Sequence, residues 1–227
     1  MKTIISYEFY NSFKSFKSIL IILFFTLSSI LTAHFLSNQP SLTNSMHSGS
    51  VYTSSIKLLV FFFGFLFVSS ISHDVINKEL DFQTIRLLVT KTSKGNIIFG
   101  KFLGVFLFWV VSTTACFIIV SLYAKQWFFL DYTVVIIFLF FIVTITLFLS
   151  TIIAKPGLTM FIGIFIGIIA PILGFWAAFS TKWFLIPFRY FLPYYYVVQS
   201  NGYLIFPALF GFILLFISYF IFKRKDL

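Results

Sequence analysis

Six long runs of apolar residues, separated by shorter polar stretches, dominate the pattern of this chain. Each run approaches or exceeds the roughly 20 residues that cross a bilayer as an α-helix. None shows the alternation of apolar and polar positions that a membrane-spanning β-barrel requires. We therefore predict one all-α transmembrane domain over residues 1–227, a polytopic membrane protein with six spans. The predicted spans cover about residues 19–36, 56–72, 99–123, 133–154, 157–180 and 203–222.

The first 17 residues repeat apolar side chains at helical spacing ahead of the first span. Ile5, Phe9, Phe13 and Phe16 recur in this way, whereas Glu8 falls elsewhere on the helical wheel. This pattern is typical of an amphipathic helix that lies in the cytoplasmic membrane interface, with its aromatic rings in the acyl boundary. The alternative is a helix that merely extends the first span.

A polar stretch over residues 74–95 lies between the second and third spans. At 100° per residue, Glu79, Gln83, Arg86 and Thr90 share one face of a helix. Two apolar stripes flank that face, one of Ile76, Leu80 and Leu87 and one of Phe82, Ile85 and Val89. Because a loop in water needs no apolar stripes, we predict a short helix wedged between the spans and a second protein. The alternative is a continuation of the second span whose polar side chains reach the interface.

The charges of the chain are distributed unevenly between the two sides that six spans define. The chain is 60% hydrophobic and only 10% charged, a composition typical of a membrane protein, and its net charge is +10. Of its 16 Lys and Arg residues, 12 fall on the side of the termini. The positive-inside rule then places both termini in the cytoplasm. The excess charge indicates topology and attraction to membrane lipid, and we expect no nucleic-acid partner.

An aromatic segment over residues 181–201 precedes the last span on the predicted external side. Pro187 and Pro193 prevent one continuous helix, and Trp and Tyr favour the membrane interface. We predict a short re-entrant or interfacial helix, which serves either as an exit gate or as an aromatic belt. The gate candidates are Trp183, Pro187, Arg189, Tyr190 and Pro193. The loop at 37–55 is also predicted to be external.

Small residues recur at helical spacing in two spans. Gly100 and Gly104 begin the third span, while Gly163, Gly167 and Pro171 recur along the fifth. Small residues four positions apart let two membrane helices approach closely. We therefore predict two helix-packing seams.

A stretch at residues 95–101 matches the first seven positions of a phosphate-binding loop and ends at Lys101. The next position, which should carry a hydroxyl for Mg²⁺, is Phe102, and no strand is predicted before it. The three His residues show no metal-binding spacing, no nucleophile motif occurs, and the single Cys116 excludes a disulfide within the chain. We therefore predict no enzyme activity, no metal and no cofactor for this chain.

Several of these elements occur in a familiar order. Glu79 is followed by residues 84–91 (Thr-Ile-Arg-Leu-Leu-Val-Thr-Lys) and then by residues 97–104, which carry Gly100-Lys101. Together with the N-terminal helix, the six spans and the aromatic external segment, this order resembles the membrane subunits of type 2 ABC exporters. The resemblance covers nearly the whole chain. The sequence departs from the family at Gln83, where Gly is usual, and at Thr92, where Pro is usual.

The resemblance implies a permease subunit of a bacterial ATP-driven exporter in the cell membrane. Its partners would be two copies of a separate ATPase subunit, which would bind ATP and Mg²⁺, and a second permease copy or a sister permease. The residues implied in coupling to the ATPase are Glu79, Phe82, Gln83, Thr84, Ile85, Arg86 and Val89. Two other classes remain open from the residues alone. One is a membrane-anchored assembly or sensor protein that recruits a cytoplasmic partner, and the other is an ion-coupled secondary transporter.

Overall fold

The structure, a computed structural model, describes residues 1–38, 52–199 and 201–225, and every regular element in those ranges is helical. In chain order the α-helices are α1 (Lys2–Lys14), α2 (Phe16–Ser37), α3 (Ser54–Ser72), α4 (Asn77–Asp81), α5 (Ile85–Lys91), α6 (Lys94–Ala124), α7 (Phe129–Ile152), α8 (Pro156–Phe179), α9 (Ile186–Phe191), α10 (Tyr194–Gln199) and α11 (Ile205–Arg224). Two short 3₁₀ turns, Trp183–Leu185 and Asn201–Leu204, precede α9 and α11.

Six of these helices are long and apolar enough to cross a membrane, which confirms the prediction of an all-α polytopic membrane protein. The largest difference from the predicted spans is at α6, which has 31 residues and begins at Lys94 instead of residue 99. At 1.5 Å per residue this helix is about 46 Å long, whereas the hydrocarbon layer is about 30 Å thick. Its first turns can therefore carry the polar residues Lys94 and Lys101.

Helix α7 forms the centre of the bundle. It packs against α3, α6, α8 and α11, and 67% of the residues in its most apolar 18-residue stretch are buried. The other five spanning helices turn large apolar side chains outward, as Phe161 and Phe165 do on α8. Such side chains suit lipid contact, because hydrocarbon solvates an exposed Phe that water would not.

Both described ends of the chain lie at one end of the bundle, which we call the basic end. The Lys94 ammonium donates hydrogen bonds to the carbonyls of Lys223 (3.2 Å) and Lys225 (2.7 Å). The Lys225 ammonium in turn donates to the carbonyl of Thr151 at 2.6 Å, and partial burial lowers the pKa of Lys225. These bonds tie the start of α6, the end of α7 and the end of α11 together.

The opposite, distal end is held by different contacts. Lys57 at the start of α3 forms an ion pair of 3.1 Å with Asp131 on α7, and the Thr53 hydroxyl donates to the same carboxylate. The aromatic segment folds into α9 and α10 instead of one helix, and Tyr194 inserts into the bundle. Its hydroxyl donates to the carbonyl of Phe61 at 2.9 Å, so the segment is anchored to α3. Most of the predicted 37–55 loop lies outside the described residues.

The alternation of the six spans can be tested by labelling single cysteines in a Cys116→Ser background. Ala154 lies in the exposed turn between α7 and α8, and Trp183 is exposed at the distal end. An impermeant thiol reagent should label Trp183→Cys from one side of the membrane and Ala154→Cys from the other. The charge distribution predicts that Trp183→Cys is the variant labelled from outside the cell. Labelling of both cysteines from the same side would contradict the arrangement.

Candidate functional site

The chain between α3 and α6, residues 73–93, forms what we call the linking segment, and it contains two helices instead of the one predicted. Helices α4 and α5 are separated at Gln83, whose φ is 56°. Residues other than glycine rarely adopt this left-handed backbone conformation. A single residue that does so ends a helix and changes the direction of the chain. The faces drawn for a continuous helix therefore do not hold across Gln83.

This break corrects the predicted docking face. Ile85 is only 2% exposed and packs in the core of the bundle, with Val89 half-buried against the same core. The resemblance implied both in coupling to an ATPase subunit, but they anchor the segment to its own protein. Phe82 and Leu87, in contrast, are each 68% exposed, although they were assigned to different stripes. We define the outer face of the linking segment as the exposed residues Phe82, Gln83, Thr84, Arg86 and Leu87.

Hydrogen bonds fasten the start of the linking segment to α7 and α8. The backbone N–H groups of Ile76 (3.0 Å) and Asn77 (3.2 Å) both donate to the hydroxyl oxygen of Ser150. The fully buried Asn77 side chain donates through Nδ2 to the hydroxyl oxygen of Thr159 at 2.6 Å. Because buried polar groups are costly to leave unpaired, these bonds fix the position at which α4 begins.

A cluster of three charges fastens the middle of the linking segment to α6 and α1. The Nζ atom of Lys101 lies 2.5 Å from Oε1 of Glu8 and 2.8 Å from Oε1 of Glu79. The side chains are 3%, 8% and 21% exposed for Lys101, Glu8 and Glu79 respectively. We call this group the ionic cluster. Glu79, predicted to face a partner, thus has a cation within its own chain.

Two glycines allow α1 to approach α6 closely enough to form this cluster. A Cβ atom on Gly104 would lie 2.6 Å from Cβ of Glu8 and 2.9 Å from the carbonyl oxygen of Ile5. One on Gly100 would lie 3.1 Å from the Ile4 side chain. Glu8 packs over Gly104, and this close approach brings its carboxylate to Lys101, which lies one turn earlier on α6.

Helix α1 also differs from its prediction in which face it buries. It is separate from the first span, because Ser15 between them has an extended backbone with ψ of 128°. Its buried residues are Glu8 and Ser12, and Phe13 packs edge-on against Phe108 of α6 at 4.8 Å between ring centroids. Phe9 and Phe13 pack against the core of the bundle, and Glu8, next to Phe9 on the helix, points inward to Lys101.

A groove of about 620 Å³ lies between α1 and the linking segment. Its walls include Tyr7 and Asn11 of α1, Phe82 and Leu87 of the outer face, and all three members of the ionic cluster. The cluster, the groove and the outer face are therefore parts of one site at the basic end.

The other predicted residues lie elsewhere in the bundle. Gly163 and Gly167 face α3, where added Cβ atoms would lie 2.7 Å from Ser69 and Leu66, and Pro171 is buried on the same helix. The gate candidates lie at the distal end. Among them Trp183, Pro187 and Tyr190 are exposed, Arg189 lies over the Tyr195 ring at 4.2 Å, and Pro193 is buried.

Sequence reasoning missed the ionic cluster. The sequence presented Lys101 as the end of a phosphate-loop match and as part of the Gly100-Lys101 step of the resemblance, but residues 95–101 lie within α6 and have helical, not loop, backbone. A lysine inside an apolar run does signal the need for a counter-ion. That signal could not identify Glu8, which is 93 positions away.

No protein-family model matches this chain, and no curated protein sequence is significantly similar to it. Within residues 1–38, 52–199 and 201–225, no group of three or more His, Cys, Asp and Glu side chains forms a candidate metal site.

The seating of α1 on α6 predicts a large effect of one methyl group. Gly104→Ala should lower the free energy of unfolding by about 1–3 kcal/mol, because its Cβ overlaps the backbone of α1. The control is Gly157→Ala in the first turn of α8, where nothing lies within 4 Å of the new Cβ. Thermal unfolding in detergent should show a lower midpoint for Gly104→Ala and an unchanged or slightly higher midpoint for Gly157→Ala. Equal midpoints would contradict the packing of α1 described here.

Proposed function

We propose that this chain is the permease subunit of an ATP-driven exporter and that a separate ATPase subunit docks on the outer face of the linking segment. The observation that carries the proposal is the two-sided construction of that segment. Its inner side is bonded to three helices, α6, α7 and α8, through Glu79 and Asn77, and Lys101 connects Glu79 to Glu8 of α1. Its outer side presents Phe82 and Leu87 at the end of the bundle where most of the basic residues lie.

The exposure of Phe82 and Leu87 is unfavourable unless another surface covers them. Burial of one large apolar side chain contributes about 1.5–3 kcal/mol. These two side chains lie among the charged residues Asp81, Arg86 and Lys91, a setting that suits an aqueous protein surface better than lipid. Apolar groups rimmed by charges are typical of protein–protein contacts.

The conformation at Gln83 also supports the proposal. In the family that the chain resembles, Gly is usual at this position, and glycine adopts positive φ without strain. Gln83 adopts a φ of 56° all the same. Although the residue type differs, the turn that separates Glu79 from the Thr84–Lys91 part of the motif is kept.

The construction of the basic end provides a path for mechanical coupling. A partner that moves the outer face displaces α4 and α5, and the bonds of Asn77 and Glu79 transmit that displacement to the spanning helices. Reorientation of packed, rigid helices is a common basis of alternating access. In this scheme two ATPase copies bind ATP and Mg²⁺, and the membrane part contains two permease chains, either identical or sisters. The basic end then faces the cytoplasm of a bacterial cell.

Ion coupling has less support than ATP coupling. Ion-coupled transporters generally require ionisable groups within the membrane. In the described part of the spans, the charged side chains lie toward helix ends, as in the Lys57–Asp131 pair and at Lys101. The mid-span hydroxyls of Thr144 and Thr146 donate to carbonyls of their own helix, α7.

The proposed docking face predicts the effect of two substitutions. Phe82→Asp and Leu87→Asp should each weaken ATPase binding about tenfold or more, because interface anchors contribute on the order of 2 kcal/mol. Co-purification of the ATPase subunit with the tagged permease, normalised to the permease in the membrane, measures the effect. The control is Ala154→Asp, which adds a carboxylate to another exposed turn of the basic end. Full retention of the ATPase by both outer-face variants would refute this docking surface.

The energy source can be tested with the reconstituted complex. Transport should require ATP, persist when proton and Na⁺ gradients are collapsed, and stop when the catalytic site of the ATPase subunit is disabled. The reason is that the chain offers no mid-membrane group to carry a coupling ion among its described residues. Transport by the permease alone in response to an ion gradient would overturn the exporter proposal.

A further inference from the structure

The ionic cluster joins α1 to the linking segment, two elements that are far apart along the chain. Glu8 belongs to α1, Glu79 belongs to the linking segment, and the Lys101 ammonium contacts both. We infer that Lys101 is a positioning residue that latches the linking segment to α1, so that the two elements move together until the Glu79–Lys101 bond breaks. This inference deepens the proposed function and rests on it only where transport is concerned.

Electrostatics make Lys101 indispensable to this arrangement. Two carboxylates that share one ammonium lie close together, and like charges at such separations repel strongly when little water screens them. The Lys101 side chain is 3% exposed, so water cannot replace it. An ammonium carries three donors, which suffices for one bond to each carboxylate. Without the ammonium, Glu8 and Glu79 would drive α1 and the linking segment apart.

The two halves of the cluster are not equally strong. Glu8 is held by backbone packing, since the glycine at 104 brings α1 into direct contact with α6. Glu79 lies on the five-residue helix α4 and is more exposed than Glu8. Its second oxygen, Oε2, makes no hydrogen bond within the described residues. The Glu79–Lys101 bond is therefore the half that opens, while Glu8 keeps Lys101 neutralised and in place.

This asymmetry gives the latch a defined role in the proposed exporter. A force on the outer face must break one buried ion pair before the linking segment separates from α1 and α6. Below that threshold the segment, α1 and α6 move as one body. Lys101 thereby determines how much of the movement of the ATPase reaches the spans.

The latch can be tested on the permease alone in lipid nanodiscs by hydrogen–deuterium exchange. Lys101→Met, which keeps the length but removes the charge, should speed exchange in residues 77–91 at least about tenfold, since breaking a buried ion pair is strongly destabilising. Glu79→Gln should speed exchange in 77–91 with little change in residues 2–14. Lys101→Arg, which keeps the positive charge, should retain most of the protection.

The control is Lys57→Met, which breaks the ion pair between α3 and α7 at the distal end and should leave exchange in 77–91 unchanged. Unchanged exchange in 77–91 for Lys101→Met, or exchange in Lys101→Arg as fast as in Lys101→Met, would overturn the latch. Equal acceleration across the whole chain in Lys101→Met and Glu79→Gln would also overturn it, because that result describes general stability only. None of these measurements involves an ATPase. Failure of the docking experiment would therefore refute the docking surface, failure of the transport experiment would refute the exporter function, and neither would affect the latch.

Discussion

The arrangement of the basic end depends on one constraint, the burial of a lysine ammonium in a nearly apolar bundle. An unpaired ion of this kind costs several kcal/mol, so Lys101 requires carboxylates within hydrogen-bond distance. To supply Glu8, α1 must lie in contact with α6, which in turn requires glycine at position 104. Glu79 reaches Lys101 from α4, which ends just before the left-handed turn at Gln83. The glycine seam and the ionic cluster are thus parts of one solution.

The linking segment acquires its two-sided character from the same constraint. Once Asn77 and Glu79 are bonded inward, Ile85 enters the core and Phe82 and Leu87 remain outside. A segment that is held at two points and carries an apolar outer face is suited to transmit a displacement, because it cannot yield locally without breaking buried polar contacts. This property supports a coupling role more directly than the sequence motif does.

The distal end is held by different contacts. Lys57 forms an ion pair with Asp131, and Tyr194 inserts against α3, while Trp183 is 81% exposed. The buried Tyr194 anchors the aromatic segment to the bundle. Helix α7 takes part in the contacts at both ends, through Asp131 and through Ser150, so a movement of α7 would affect both.

The six spans, the all-α class and the positions of the polar segments could be predicted from the amino-acid sequence. A helix that crosses a bilayer needs a long apolar run, and polar segments can separate such runs only at the membrane surfaces. The sequence did not determine which way each helix faces. Lipid and protein core are both apolar, so periodicity could not show that Ile85 points inward and Leu87 outward, and it placed Glu8 on the wrong side of α1. Only the tertiary structure brought Glu8, Glu79 and Lys101 together. Their meeting depends on how closely α1 packs on α6, and the outer face depends on the left-handed turn at Gln83. Neither feature can be read from a hydrophobic pattern.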